Sequence, residues 1–450
     1  MFHRKRKLLI IFVAIFIFYV FYILLWSENT NDSAVAKNVK LDLTHDTPIN
    51  ADNEKKDESK VHVDSQNQLT TGGRIKLFDE TFNHTINPVD VVKSITYLNE
   101  HHEILNSGIG LDKVSIVLIV QVHNRAEYLK LLIDSLEKVK GIEKALIVFS
   151  HDIYHPPVNE LILNIKFCQV IQIFYPYTIQ IFHNRFPGTD PNDCEEKISK
   201  AEAERIQCNN WNSSDTYGNY RKAQLTQIKH HFWWKMNYVF DAIMEKYKLS
   251  TNVLLLEEDH MVTPDVLHVL NMILATKSAY CPNCSMISLG LFMKNFNYYE
   301  RDIFKLGKQT WFGKHNTGMV LNKEVWNQFR SCAKMFCEFD DYNWDWSMIQ
   351  ISYKCFPQKI VAIYSKSPRV LHIGDCGVHT HKCNSQNTAN KMKALFEKVS
   401  KSFFPEKMDL TENLSRVPKI SKPNGGWGDV RDHQLCFLNT YPLNTSIWSF

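Results

Sequence analysis

No G-x-G-x-x-G follows the first strand-like run, so the chain lacks the fingerprint whose glycines bring a backbone against a dinucleotide pyrophosphate. No internal repeat is visible, so the fold is not a stack of one repeated unit. Excess charge is scarce: 52 Lys and Arg against 48 Asp and Glu leave only +4 over 450 residues, which gives no support for nucleic-acid binding. Cysteine is absent before Cys168, and all eleven fall between Cys168 and Cys436. What the chain has in quantity is apolar: 44% hydrophobic and 12% aromatic residues are ample for a sizeable core. The length suits two or three domains, or one large α/β domain with appendages.

The basic excess is concentrated at the start. Residues 1–7, with Arg4, Lys5, Arg6 and Lys7, read as a cytoplasmic tail, and the uncharged run 8–26 is long enough to span most of a hydrocarbon core. A cleavable signal peptide has a shorter apolar region ending in small residues, whereas bulky Tyr22, Leu24, Leu25 and Trp26 close this one. The cationic flank stays cytoplasmic, so the expectation is an uncleaved signal anchor with the rest of the chain in a lumen. Residues 27–86 are polar, show no sustained period and read as a flexible stem before a globular domain at 87–450. A lumen makes disulfides the default, and an odd count leaves one thiol over. Cys168, in the apolar run KFCQVIQIF, is the candidate for a buried free thiol. Asn31, Asn83, Asn212, Asn413 and Asn444 head N-x-S/T triplets, and Asn283 heads one inside CPNC, where a local disulfide stands against modification.

Strands and helices alternate from residue 114 onward. Val114 to Val122 ends at His123-Asn124-Arg125, Ala126 to Val139 has helical spacing, and strands at Ala145 to Phe149 and Val170 to Phe174 follow. That alternation is the mark of a parallel sheet with helices on its faces. Thr226 to Tyr247 reads as a long amphipathic helix carrying Lys229, His230 and His231. Next comes VLLLEEDH, in which Val253 to Leu256 is a buried strand running into Glu257, Glu258 and Asp259. Ligands of open α/β sheets sit outside the carboxyl ends of strands. Three carboxylates there repel one another unless a cation or strong donor lies among them, and such a site suits Mg²⁺ or Mn²⁺ holding a phosphate. The plainer reading is a strand end meeting water.

Other clusters carry two readings each. CPNC, Cys281 to Cys284, sits mid-domain after a helix, which favours a structural disulfide over a redox pair. His372, Cys376, His379, His381 and Cys383 are too compact to chelate one zinc together, and a Cys376–Cys383 disulfide would leave His372 free. CEFDDYNWDWSM sets Asp340, Asp341 and Asp345 among Tyr342, Trp344 and Trp346. Rings cover sugar C–H faces and acids accept or remove hydroxyl protons; equally, the acids cap a helix whose tryptophans enter the core.

Seven stretches, VHNRAEYLKLLIDSL, IFHNRFPGTDPNDC, QIKHHFWWK, LLLEEDH, DDYNWDWS, HIGDCGVHTHKC and NGGWGDVRDH, occur in that order and together resemble the N-acetylglucosaminyltransferase II family over about residues 110–440. The resemblance implies an α/β fold of the GT-A glycosyltransferase type, with a Rossmann-like mixed sheet flanked by helices. It implies inverting β1,2 transfer of GlcNAc from a UDP-GlcNAc donor to the α1,6-arm mannose of an N-linked glycan on glycoproteins, committing hybrid glycans to complex type. It further implies a Golgi membrane enzyme with Mn²⁺ as cofactor, held by Asp259 and His372. By the same resemblance, Gln121, Val122, His123, Asn124, Arg125, Asp152, Gln227, Ile228, Lys229, His230, His231, Glu257 and Glu258 serve the donor. Asp345 is the catalytic base, with Tyr342, Asn343, Trp344 and Trp346 around the acceptor. The implied disulfides are Cys194–Cys208, Cys281–Cys284, Cys332–Cys355, Cys337–Cys436 and Cys376–Cys383. Leu291 to Lys305 follows the family pattern poorly. A homo-oligomer is left open. A β1,2-GlcNAc transferase for the other arm or for O-mannose, and a catalytically silent glycan-binding protein, are the competing readings. Mass spectrometry of the membrane-extracted protein is expected to find residues 8–26 retained; a mature N terminus near residue 27 would mean that the anchor is cleaved.

Overall fold

The computed structural model describes residues 88–291, 293, 296–374, 385–412 and 422–443. The tail, anchor and stem, the Cys376–Cys383 pair, and the triplets at Asn31, Asn83, Asn413 and Asn444 lie outside the described residues. Among the described residues no helix is long and apolar enough to cross a membrane.

In chain order the elements are α1 (Pro88–His101), β1 (Ile116–Val122), α2 (Ala126–Leu136), β2 (Ala145–His151), α3 (Pro156–Leu163), β3 (Gln169–Phe174), α4 (Lys200–Ile206) and α5 (Ala223–Tyr238). Then come β4 (Val253–Glu257), β5 (His260–Val262), α6 (Val266–Tyr280), β6 (Cys284–Ser288), α7 (Tyr299–Asp302), β7 (Lys305–Thr310) and β8 (Met319–Leu321). The rest are α8 (Lys323–Ser331), α9 (Ala333–Glu338), α10 (Trp344–Lys354), β9 (Val361–Ser365), β10 (Val370–His372), α11 (Ser385–Val399), β11 (Asp409–Glu412) and α12 (Val430–Leu438). Nine strands form one mixed sheet in the order β11-β7-β9-β6-β8-β4-β1-β2-β3. The block β3-β2-β1-β4 is parallel, while β8 runs antiparallel to both β4 and β6. The first strands step outward from β1, and β4 returns on its other side, with Gln121 opposite Glu257. The strand order therefore reverses between β1 and β4, and a crevice opens at the carboxyl ends of such a pair.

The alternation of side chains along these strands builds two cores. Val117, Ile119 and Leu255 pack with Phe232, Trp233 and Met236 of α5. Their neighbours Leu118, Val120, Leu254 and Leu256 pack on the other face with Leu129 and Leu132 of α2 and Val266 and Leu270 of α6. Both faces are covered, which is why these strands read as unbroken apolar runs.

Helix α5 differs from its expected amphipathic form. It ends at Tyr238, passes into a π-helical stretch Val239–Met244, and is buried on nearly every side. The sheet covers one side; α10 and α12 pack on the other. Phe232 stacks on Trp344 at 3.9 Å and Trp233 on Phe336 at 4.2 Å. Its polar side chains are enclosed with partners drawn from distant segments: His230 on Asp432 at 2.9 Å, and Asn237 on the Asn439 carbonyl at 3.1 Å. A polar pattern that looks like a solvated face is here a set of satisfied buried groups.

Four disulfides have the pairings that the resemblance implies: Cys194–Cys208, Cys281–Cys284, Cys332–Cys355 and Cys337–Cys436, with Cys168 buried and free. Cys337–Cys436 ties α9 to α12, closing the layer that covers α5.

A small two-stranded sheet pairs β5 with β10, setting His260 opposite His372. It is anchored by fully buried Arg369, whose Nε donates to Asp265 Oδ2 at 3.1 Å, while Nη1 and Nη2 donate to the Ser367 and Ile303 carbonyls at 2.6 and 2.9 Å. Arg369→Met strands the buried Asp265 carboxylate and is expected to destabilise the protein by about 3–5 kcal/mol. Lys130→Met, at the exposed pair with Asp134, should change stability by less than about 1 kcal/mol. Chemical denaturation of both variants measures the contrast.

Candidate functional site

Three acids emerge from β4 in succession, and each is met by different elements. Glu258 Oε1 accepts from Arg125 Nε at 2.6 Å and Oε2 from the His123 backbone N–H at 2.7 Å. Arg125 Nη1 donates to Asp259 Oδ2 at 2.8 Å, so one guanidinium clamps two carboxylates. Lys235, buried in α5, donates to Gln121 Oε1 beside Glu257 across the β1/β4 register. Burial pushes the Glu257 carboxyl up, and neighbouring Asp259 pushes it further, against the charge of Lys235. Burial also raises Glu258, opposed by Arg125. Asp259 goes the other way: burial would raise it, but the hydrogen bond and charge of His372, with Arg125, hold it well below the usual carboxylate range.

His372 brings its Nε2 to 3.2 Å from Asp259 Oδ2, and the Ile373 N–H fixes the strand by donating to the Asp259 carbonyl at 2.9 Å. Burial lowers the His372 pKa, yet Asp259 outweighs it and the net shift is upward. The other oxygen, Asp259 Oδ1, is buried with no hydrogen-bond partner. Gly374 borders the same carboxylate so closely that a Cβ there would lie 2.2 Å from Asp259 Oδ2. Glu257, Asp259 and His260 each offer a ligand atom, all within 4.8 Å of one another. His260 accepts from the Glu257 N–H through Nδ1 at 3.1 Å, and burial holds it neutral with a pKa lowered to about 3. An unpartnered carboxylate oxygen among carboxylates and imidazoles fits a divalent cation, and the glycine leaves room beside the other oxygen of Asp259.

Beside this cluster lies a polar shelf at the ends of β1 and β2. His123 Nδ1 is 2.6 Å from Asp152 Oδ1, and Gln227 Nε2 donates to Asp152 Oδ2 at 3.2 Å. His231 Nε2 meets Ser150 Oγ at 2.8 Å. Burial opposes protonation of His123, but Asp152 prevails and raises its pKa; the same pairing lowers that of buried Asp152. His123 and Asn124 are exposed, whereas Val122 is core. Ile228 packs against the core under the sheet. Lys229 and His230 face away from the shelf. Lys229, fully buried, donates to the Phe339 and Asp341 carbonyls at 3.0 and 2.9 Å, and His230 pairs with Asp432.

The third group is built at the start of α10. Asp345 Oδ1 accepts from the Trp346 N–H at 2.9 Å, and Oδ2 from Asn316 Nδ2 at 3.2 Å. Burial above all pushes the Asp345 carboxyl up to about 6; the Trp346 N–H moderates this and the charge of Asp341 adds to it. Tyr342, Asn343 and Trp346 are half-buried, while Trp344 belongs to the core against Phe232. Asp341 braces the turn by accepting from the Asn343 N–H at 2.9 Å and from the Asn424 N–H at 2.9 Å. The segment Asn424 to Trp427 closes over it: Gly425 N–H donates to the Asp340 carbonyl, Trp427 N–H to Asp340 Oδ1, and Gly426 N–H to Asp215 Oδ2. Gly426 has φ +75°, and a Cβ on it would meet the Tyr342 ring at 3.1 Å.

The family model for N-acetylglucosaminyltransferase II (MGAT2) matches residues 92–436. The chain belongs to the N-acetylglucosaminyltransferase II family. A pig (Sus scrofa) protein named alpha-1,6-mannosyl-glycoprotein 2-beta-N-acetylglucosaminyltransferase is 40% identical over 336 residues, covering 73% of this chain and 75% of its own. A human protein of the same name is 39% identical over 71% of this chain and 72% of its own. The Arabidopsis thaliana protein of that name is 32% identical over 75% of this chain and 77% of its own. As a member of this family the chain is a glycosyltransferase.

Sequence reasoning missed Asn316, Lys235, Gly374 and the Asn424–Trp427 brace. His260 stood in the VLLLEEDH stretch without being assigned, and its imidazole next to an acid run was the available signal. Gly374→Ala is expected to weaken divalent-cation affinity by roughly tenfold or more, about 1.4 kcal/mol, read as the loss of Mn²⁺-dependent stabilisation in thermal melts. Unchanged stabilisation would separate Gly374 from the site.

Proposed function

We propose that this glycosyltransferase moves GlcNAc from UDP-GlcNAc, with inversion, onto O2 of the α1,6-arm mannose of an N-glycan core. The fold reads as GT-A, the address as the Golgi lumen behind the 8–26 anchor, and the metal as Mn²⁺. The names of the relatives support the acceptor arm. The observation that carries the chemistry is the state of Asp345: a carboxyl pushed up to about 6 and oriented through both oxygens. Such a group is ionised at neutral pH yet remains basic enough to take a hydroxyl proton, which is what a general base requires.

Asp345 takes the proton of the attacking hydroxyl as that oxygen bonds to C1 of GlcNAc; the C1–O bond to UDP breaks, and UDP leaves with the electron pair. Asn316 and the Trp346 N–H hold the carboxylate in place through its two oxygens. The half-buried rings of Tyr342 and Trp346 would cover sugar C–H faces. His123, Asp152 and Gln227 would orient the nucleotide, with the diphosphate toward the crevice between β1 and β4. Asp259 and His372, with Glu257 and His260 adjoining, would hold the Mn²⁺. When bound, the ion supplies the positive charge that a departing diphosphate needs.

Incubation of the protein with UDP-GlcNAc, Mn²⁺ and glycans bearing defined free arms tests the reading. Product is expected on the α1,6 arm; product confined to the α1,3 arm or to O-mannose would overturn the acceptor assignment. Asp345→Asn should lower kcat by roughly 10²–10⁴-fold. For wild type, kcat/KM should fall as pH drops through about 6, because the base becomes protonated. The sign for stability is opposite. A carboxyl whose folded pKa is raised contributes stability that is full below its ordinary value of 3.8 and is lost as pH rises through about 6, so ionised Asp345 opposes folding at neutral pH. Asp345→Asn should therefore be more stable than wild type at neutral pH while nearly inactive. A variant that kept wild-type turnover would remove Asp345 from the role of base.

A further inference from the structure

Two N-x-S/T triplets lie among the described residues, and their surroundings differ sharply. Asn212-Ser213-Ser214 sits in a turn after Cys208, and Asn283-Cys284-Ser285 sits at the junction of α6 and β6. The Asn212 side chain is exposed. Its Oδ1 accepts from Ser213 Oγ at 3.0 Å, leaving Nδ2, the atom that carries an N-linked sugar, pointing free of the hydrogen bond. The turn beneath it is held from several directions. Cys194–Cys208 pins its start, Asn210 Oδ1 accepts from the Cys194 N–H at 2.8 Å, and Tyr220 OH donates to the Trp211 carbonyl at 2.8 Å. Ser213 and Ser214 belong to no helix or strand. A bulky, hydrated oligosaccharide on Nδ2 would bury nothing and displace none of these contacts.

Asn283 is exposed too, so exposure alone does not separate the pair. The difference lies in the backbone. Asn283 is inside the short ring closed by Cys281–Cys284, the Cys284 N–H donates to the Cys281 carbonyl at 3.0 Å, and the following residues enter β6. A transferase must engage the asparagine amide and the hydroxyl two residues on together. In this triplet the central residue is the buried, cross-linked Cys284.

We propose that Asn212 carries an N-linked glycan and that the Cys281–Cys284 ring keeps Asn283 unmodified. The inference rests on the lumenal address read above. A few residues after Asn212, the Thr216 N–H donates to Asp340 Oδ2 at 2.6 Å, the Asp215 carboxylate accepts from the Gly426 N–H at 2.8 Å, and the Tyr217 hydroxyl donates to the Pro423 carbonyl at 2.5 Å. The loop that bears the glycan is thus the outer brace of the segment leading to Asp345. The modification lies at the solvent side of that brace, of the same chemical class as the proposed acceptor.

The experiment uses the full chain expressed with its own N-terminal segment in a secreting eukaryotic host. Glycans are removed by an amidase in heavy-oxygen water, which converts each formerly glycosylated asparagine to labelled aspartate, and peptides are read by mass spectrometry. Peptides containing Asn212 should be labelled and those containing Asn283 should not. Asn212→Gln and Ser214→Ala should each remove one glycan from the intact mass. Cys281→Ser, which opens the ring, should bring label to Asn283; persistent absence there would overturn the ring as the cause. An unlabelled Asn212 beside a labelled Asn31 or Asn83 would overturn the Asn212 assignment while leaving the lumenal address intact. Absence of label at every triplet would overturn both.

Discussion

Three adjacent carboxylates at the end of one buried strand are the constraint around which this structure is arranged. Like charges about 4 Å apart repel by roughly 4 kcal/mol at an effective dielectric near 20, so Glu257, Glu258 and Asp259 need cationic or donor partners. The strand itself supplies none. Lys235 comes from α5, Arg125 and the His123 N–H from the end of β1, and His372 from β10. Four elements distant in sequence are thereby drawn to one point, which is also where the strand order reverses. After this neutralisation one buried oxygen, Asp259 Oδ1, is left without a partner. That remainder, more than the acid run itself, supports the proposed cation site.

Helix α5 transmits the arrangement to the rest of the site. Gln227, His231 and Lys235 recur every four residues and so share one face, which looks onto Asp152, Ser150 and Gln121. Lys229 and Phe232 lie on another face and hold the Phe339–Asp341 bend and Trp344. One helix, buried on nearly every side, therefore positions the polar shelf and the segment that carries Asp345. Burial pushes the Lys229 pKa well down, against the charges of Asp341, Asp340 and Asp432. The two carbonyls this lysine binds lie in the turn that leads into α10.

How much of this was legible varies with how local the signal is. The strands of the parallel block were legible, because burial on both faces leaves unbroken apolar runs. VLLLEEDH was legible as a strand end with a charge problem. The α5 pattern misled, since polar residues at helical spacing look solvated unless their partners are known, and Asp432, Asp341 and Asn439 lie some hundred to two hundred residues away. Asn316 and Gly374 carry no local signal at all. One is an ordinary amide before a strand, and the other matters only through the space it leaves beside Asp259. The roles proposed for Asp345 and His372 are legible only through the family resemblance. Geometry adds what supports them: a raised carboxyl held through two oxygens, and an imidazole against a depressed one.

If the carboxylates of β4, once neutralised from three sides, leave Asp259 to hold a divalent cation for a nucleotide diphosphate as proposed, manganese and UDP bind there together. Anomalous diffraction from crystals grown with Mn²⁺ and UDP tests it most directly. A manganese peak is expected on the Asp259 carboxylate within reach of His372, with the diphosphate in the crevice outside β1 and β4. A peak elsewhere, or UDP bound in that crevice with no manganese at Asp259, would contradict it.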